Sequence, residues 1–235
     1  MNSFVLAFPL NVAVDDSFTV VPGVSVEKET QSLMVPGCTM MFKVVRKEAV
    51  PGLSEVFKEH QEISAEESAA IDSHKSLLFL LGSLKSATDL TMVNTAILKV
   101  LSAGALGVYM QQSGAAWTAA AFREELGEAE FPMDPWMNFL EGAGVLYTLG
   151  LETFGLPDLC ISCKEGAEDS QDCRDILSFA ADSLFVDGIG SKSGTEVDCG
   201  EYGTYVLRQE TKSPFGKDDP EYNKRGVMRL LKRSK

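Results

Sequence analysis

The spacing of hydrophobic positions changes character twice along the chain. In the first fifty residues, short β-prone runs at 4–8, 18–21 and 40–45 are separated by Pro22-Gly23, Pro36-Gly37 and Pro51-Gly52. Such pairs turn a chain because proline presets φ and glycine accepts the positive φ that follows. From Ser64 the period lengthens. Ser64-Ala65-Glu66-Glu67 has the spacing of a capping box, in which hydroxyl and carboxylate each satisfy the other's backbone N–H. It predicts a helix running to about His74. Residues 77–81 are unbroken leucine and phenylalanine, as in a strand covered on both faces. Met92/Val93, Ala96/Ile97 and Val100/Leu101 then recur at helical spacing from Thr88 until Gly104 stops them. A strand at 106–110 follows, and Thr118 caps a helix through Leu126 that Gly127 closes.

After Pro132 and Pro135 short apolar runs return at 136–140, 145–153 and 159–163. A helix capped by Asp169 or Ser170 carries a buried stripe of Cys173, Ile176, Leu177, Ala180 and Leu184. Glycines 188, 190 and 194 mark a loop, and strands at 195–199, 204–207 and 226–231 close the chain. In the last of these Arg229 interrupts Val227, Met228, Leu230 and Leu231, the pattern of a sheet edge with a charged guard. The expected fold class is α+β: a mixed, largely antiparallel sheet with helices packed on it, built from ferredoxin-like split βαβ units. The reading is one domain over 1–235 with pseudo-halves 1–127 and 130–235, hinged at the acidic, proline-containing stretch 124–135.

The serial order of these segments resembles bacterial proteins of domain-of-unknown-function family 4261. The residues that carry the resemblance begin with His74-Lys75 ahead of the apolar strand and the helix ending at Gly104. Ala105-Leu106-Gly107-Val108-Tyr109 follows, then aromatic-rich strands at 136–139 and 147–150, and Phe154-Gly155 before another strand. Cys173-Arg174-Asp175-Ile176-Leu177 and Gly226-Val227-Met228-Arg229-Leu230 complete it. The family domain would cover about 130–212. The chain departs from it at 159–163, where two cysteines stand in place of acidic and aliphatic residues. The resemblance implies an α+β sheet and a cytoplasmic bacterial setting, and it carries over no catalytic or ligand residue.

Composition narrows the partners. With 45% hydrophobic and 23% charged residues over 235 positions, the chain sits at the globular average. Its longest apolar runs, 77–81 and 103–110, fall far short of the roughly 20 residues a membrane helix needs. The start, 4–10, has no basic residue before it and is broken by Pro9, so it reads as a first strand and not as a signal core. Five cysteines, an odd number, predict reduced thiols in the cytoplasm. Net charge is −13, yet residues 224–235 hold six basic residues and no acid, which leaves the first 223 residues at −19. So acidic a body repels phosphate backbones and anionic membrane surfaces, and neither nucleic acid nor a membrane is an expected partner. The basic terminus is expected to balance the chain's own acids.

Candidate chemistry is sparse. Cys160-Ile161-Ser162-Cys163 has redox or zinc-like spacing, but a redox pair sits at a helix N-terminus and this one ends a predicted strand. Residues three apart on a strand face opposite sides, so Cys160 and Cys163 are weak metal candidates whose expected role is ordinary buried thiols. His60 and His74, the only histidines, are expected on helix surfaces, with His74 bonding the last carbonyls of its helix. Neither has a G-x-S-x-G elbow to work with. The loop 188–194 fails the phosphate-loop template because it precedes a strand. The pairs Asp15-Asp16, Glu66-Glu67, Glu124-Glu125 and Asp218-Asp219 diverge on any regular element. Trp117 and Trp136 are expected in or near the core. No cofactor is implied and no catalytic residue is assigned.

Two function classes follow. The expectation is a soluble, non-catalytic protein-binding or adaptor/immunity-type module whose partner is another protein with a basic surface. The alternative is an enzyme with a site assembled from scattered Asp, Glu, Tyr and Cys residues in a cleft on the sheet. A concave pocket with converging polar groups of perturbed acidity would distinguish the second from the first.

Overall fold

The computed structural model describes residues 3–29, 31–129, 132–163, 167–219 and 221–233. In chain order the first half comprises β1 (Ser3–Leu10), the hairpin β2 (Phe18–Val21) and β3 (Val24–Val26), β4 (Gln31–Met34), β5 (Met41–Glu48), α1 (Leu53–His60) and α2 (Ala65–Asp72). It continues with β6 (Ser76–Ser83), α3 (Ala87–Ser102), β7 (Gly107–Met110), β8 (Ala116–Thr118) and α4 (Ala119–Glu128). The second half holds β9 (Asn138–Gly142), β10 (Val145–Leu149), β11 (Asp158–Ser162), α5 (Ala167–Phe185), β12 (Glu196–Asp198), β13 (Thr204–Gln209) and β14 (Val227–Lys232).

Each half forms one six-stranded sheet, β4-β5-β6-β1-β7-β8 and β12-β13-β14-β11-β10-β9. Every pairing is antiparallel except β11 with β14. β1 lies between β6 and β7 and runs antiparallel to both, so β6, the crossover α3 and β7 make a split βαβ unit. In the second sheet the crossover α5 leads from β11 to β12 past two intervening strands. The fold is α+β with largely antiparallel sheets.

Burial explains why β1 is central. Phe4, Leu6, Phe8 and Leu10 have no exposed surface, and burying each such side chain contributes roughly 1.5–3 kcal/mol. They share one buried cluster with Leu90, Val93, Ile97 and Val100 of α3. One buried cluster extends from Phe4 to Leu230 across both halves. Trp136 joins them: its ring packs edge-on against Phe4 at 5.6 Å and Phe154 at 6.1 Å. Its indole N–H donates to the buried Asn94 Oδ1 at 2.7 Å.

Four expectations are corrected. The strand expected from 136 starts at Asn138, because Asp134–Trp136 is a 3-10 turn that delivers Trp136 inward. The strand expected to reach 153 stops at Leu149, where Gly150 takes φ 99°; an added Cβ there would lie 2.5 Å from Ser113 Cβ. The final strand is interior, not an edge, since β14 pairs with β13 on one side and β11 on the other. Arg229 tolerates that place because its guanidinium leaves the sheet to pair with Glu210 and to donate to Ser162 Oγ. α5 begins at Ala167, so Asp169 and Ser170 fall inside its first turn, and the Asp169 side chain lies outside the described residues. Residues 130 and 131 of the expected hinge also lie outside them.

Candidate functional site

The site begins with α1, in which Leu53, Val56, Phe57 and His60 have amphipathic spacing. Its anchor is Phe57, fully buried and packed in a small cluster with Ile71 and Ala116. Gly107 makes room for it: a Cβ at 107 would stand 2.6 Å from the Phe57 ring and 2.6 Å from the Trp117 carbonyl. Asp72 ties α1 to α2 by accepting from the Ser54 N–H at 2.9 Å and hydroxyl at 2.7 Å. Gln61 Nε2 donates to the Ala116 carbonyl at 2.8 Å. These contacts fix His60, whose ring meets Trp117 edge-on at 4.5 Å.

His60 is thereby half-buried instead of surface-facing as expected, because Trp117 covers one flank. Both ring nitrogens are shielded from solvent, with no hydrogen-bond partner among the described residues. Burial pushes the imidazole down to about 4; Asn138 beside it pulls the other way without closing a well-formed hydrogen bond. His60 is neutral at pH 7. His74 serves a different end. Its Nε2 accepts from the Val50 N–H at 3.1 Å, so Nδ1 carries the proton and donates to the Ile71 carbonyl at 2.7 Å.

Across from His60 stands Asp134. The indole N–H of Trp117 donates to the Pro135 carbonyl at 2.8 Å and holds that turn against β8. Asp134 Oδ1 is buried without a partner among the described residues. Burial pushes this carboxyl up to about 7, helped by Glu125, Asp182 and Asp175, while the Ser178 hydroxyl pulls it partway back. Asp175 is fully engaged, accepting from the Tyr202 hydroxyl and from Gln171 Nε2, each at 2.8 Å. That hydrogen bond pushes the Tyr202 phenol up to about 12.

His60 and Asp134 line the same cavity of about 400 Å³, together with Trp117, Phe139, Arg174 and Ser178. Glu59, His60 and Asn138 also wall a second cavity of about 470 Å³ with Tyr109, Gln112 and Leu149. Gln111, Gln112 and Glu221 are shared in turn with a third, of about 160 Å³, which reaches Asp158 and Asn223. The three form a trough between the sheets. Asp158 is 3% exposed. It accepts from the Leu151 N–H at 3.2 Å, and burial pushes its carboxyl up to about 7.

The cysteines stand apart from this trough. Cys160 is fully buried on β11, and burial pushes its thiol up to about 12. Cys163, just beyond the strand, is disulfide-bonded to Cys173 of α5. This corrects the expectation that the thiols are reduced: Cys38, Cys160 and Cys199 are free and buried, and the other two are paired because α5 packs back over the end of β11. Cys160 and Cys163 therefore face different surroundings. Among the described residues no three His, Cys, Asp or Glu side chains gather as a metal site, and no helix is long and apolar enough to cross a membrane. The basic terminus pairs within the chain, Lys224 with Glu152 at 3.9 Å, Arg229 with Glu210, and Arg233 with Glu196 at 2.6 Å.

Comparison with known proteins returns no matching family model, curated protein or solved structure, so the trough's own chemistry carries the functional reading.

Proposed function

We propose that the chain is an enzyme acting on a small molecule held in the trough between the two sheets, with Asp134 as its proton-transferring group. The observation that supports this reading is the presence in one cavity of two half-buried acid–base side chains with shielded, unsatisfied atoms, Asp134 Oδ1 and both His60 nitrogens among the described residues. A carboxyl near 7 is matched to proton transfer at neutral pH, since it is present in both forms there. His60 is too weak a base at about 4 to lead. As a neutral imidazole it donates one hydrogen bond and accepts another, which orients a bound polar group. Leaving such atoms unpaired is costly, about 1–3 kcal/mol each, and a side-chain shift that opens them to a ligand in the cavity recovers that cost.

The protein-binding module expected from sequence rested on a full-size core, a strongly acidic surface and the lack of a converging nucleophile, base or metal set. His60, Asp134 and Ser178 line one cavity, and this favours the enzyme. The test is to incubate the pure protein with a small-molecule extract of its host and follow every species by mass spectrometry. Wild type should consume at least one species. Asp134→Asn should abolish that turnover while keeping the wild-type circular dichroism. An extract left unchanged, or one consumed equally by the variant, would end the proposal.

A further inference from the structure

One covalent bond holds the start of α5 against the sheet. Gln171, Arg174, Asp175 and Ser178 of this helix line the Asp134 cavity. Between 170 and 172 no described side chain makes a hydrogen bond or ion pair to another element; Gln171 bonds only within the helix, to Asp175. The first bond to another element comes at Cys173, through its disulfide to Cys163 at the end of β11. Past it, Arg174 lies over the Phe139 ring at 5.1 Å, and Asp175 accepts from the Tyr202 hydroxyl at 2.8 Å. Arg174 is exposed, and a cation over a ring is held weakly there. Deeper along the helix Ile176, Leu177, Ala180, Ala181 and Leu184 are buried in the core. They anchor the rest of α5 whatever the state of the disulfide.

The pair is placed to exchange with an external thiol and not with the chain's own. Cys38, Cys160 and Cys199 are buried, and burial pushes the thiols of Cys160 and Cys199 up to about 12. They hold almost no thiolate at neutral pH, and the thiolate is the attacking form. Cys163 is half-buried, beside the exposed Ser162, whereas Cys173 is buried. Resting on the reading of the Asp134 cavity as the site, we infer that the Cys163–Cys173 disulfide is a reversible latch on that cavity, opened by a dithiol reductant. The reductant's thiolate attacks Cys163 Sγ, and Cys173 leaves as a thiolate and takes up a proton. The second thiol of the reductant then displaces Cys163, so two electrons enter the protein and the reductant departs as a disulfide. Opening frees the helix ahead of Ile176 and carries Arg174 and Asp175 away from Phe139 and Tyr202. Ser178 stays docked on the buried stripe. A disulfide oxidant reverses the change, because the docked helix sets the two Cα atoms 6.3 Å apart, within the span a disulfide closes.

Hydrogen exchange followed by mass spectrometry tests the latch on the full chain. Dithiothreitol added to the folded protein should raise the thiols trapped by alkylation from three to five while circular dichroism is kept. Amides of 170–176 should then exchange at least tenfold faster, with those of 177–185 unchanged. Glutathione disulfide should restore both the slow exchange and the count. Cys163→Ser should exchange over 170–176 as the reduced wild type does, with or without dithiothreitol. In dilute host extract the oxidised wild type should consume its species at least fivefold faster than the reduced form. A bond that dithiothreitol cleaves only in denaturant, or a reduced protein whose 170–176 amides exchange as before, would overturn the inference. Failure of the enzyme reading is separable. Reversible exchange without consumption in either state sinks the enzyme and keeps the latch, whereas Asp134-dependent consumption equal in both states keeps the enzyme and sinks the latch.

Discussion

At the scale of single residues, three titratable groups that folding wholly or partly buries pull stability in opposite directions with pH. Asp158 rises from 3.8 to about 7 on folding. Between those values the folded chain keeps a proton that the unfolded chain has lost, so stability is greatest below 3.8 and declines as pH rises through 7, by about 1.4 kcal/mol per pH unit. Asp134 has the same sign. His60 falls from 6.5 to about 4; there the unfolded chain holds the extra proton, so stability declines as pH falls from 6.5 to 4. The slopes oppose each other over that window and partly cancel. Asp158→Asn, whose amide oxygen can still accept from Leu151, should therefore raise the melting temperature most above pH 7 and leave a net loss on the acid side. His60→Gln should do the reverse, becoming relatively more stable towards pH 4. Thermal melts of the three proteins from pH 4 to 8 check both; parallel curves would mean these groups are not buried as described.

At the scale of elements, the link that matters most is between β11 and α5. The Cys163–Cys173 disulfide spans a sequence separation of 10, and closing a loop of that size contributes about 2–3 kcal/mol by restricting the unfolded chain. α5 also delivers Arg174, Asp175 and Ser178 to the cavity that holds Asp134. Replacing both cysteines by serine should lower unfolding free energy by about that amount in urea titrations and broaden the amide resonances of the first turns of α5. Thiol titration of the denatured wild type should give three thiols without reductant and five with it, following the three free cysteines and the pair. Five in both conditions would show the pair to be reduced.

At the scale of the molecule, charge is the controlling quantity. A net charge of −13 repels itself in the compact state. The pairs of Lys224 and Arg233 are largely exposed, so each offsets less than about 1 kcal/mol. Sodium chloride shortens the screening length to about 8 Å at 0.15 M, and it should raise the melting temperature by a few degrees between about 10 mM and 300 mM. A fall would mean that the ion pairs outweigh the repulsion.

Local chemistry determined much of the architecture from sequence alone. The Ser64–Glu67 capping box, the Thr118 cap and the periodic stripe of α3 form as read, because each is decided by residues three or four apart. The split βαβ order was legible for the same reason, as strand and helix periods alternate. The position of β14 was not, since Arg229 signals an edge until Glu210 and Ser162, distant in sequence, supply its partners. The site was hidden in the same way. His60 and Asp134 are unremarkable surface-type residues in the sequence. Trp117 covers one and anchors the turn of the other, and this packing, set by the meeting of two sheets, decides their burial and hence their acidity.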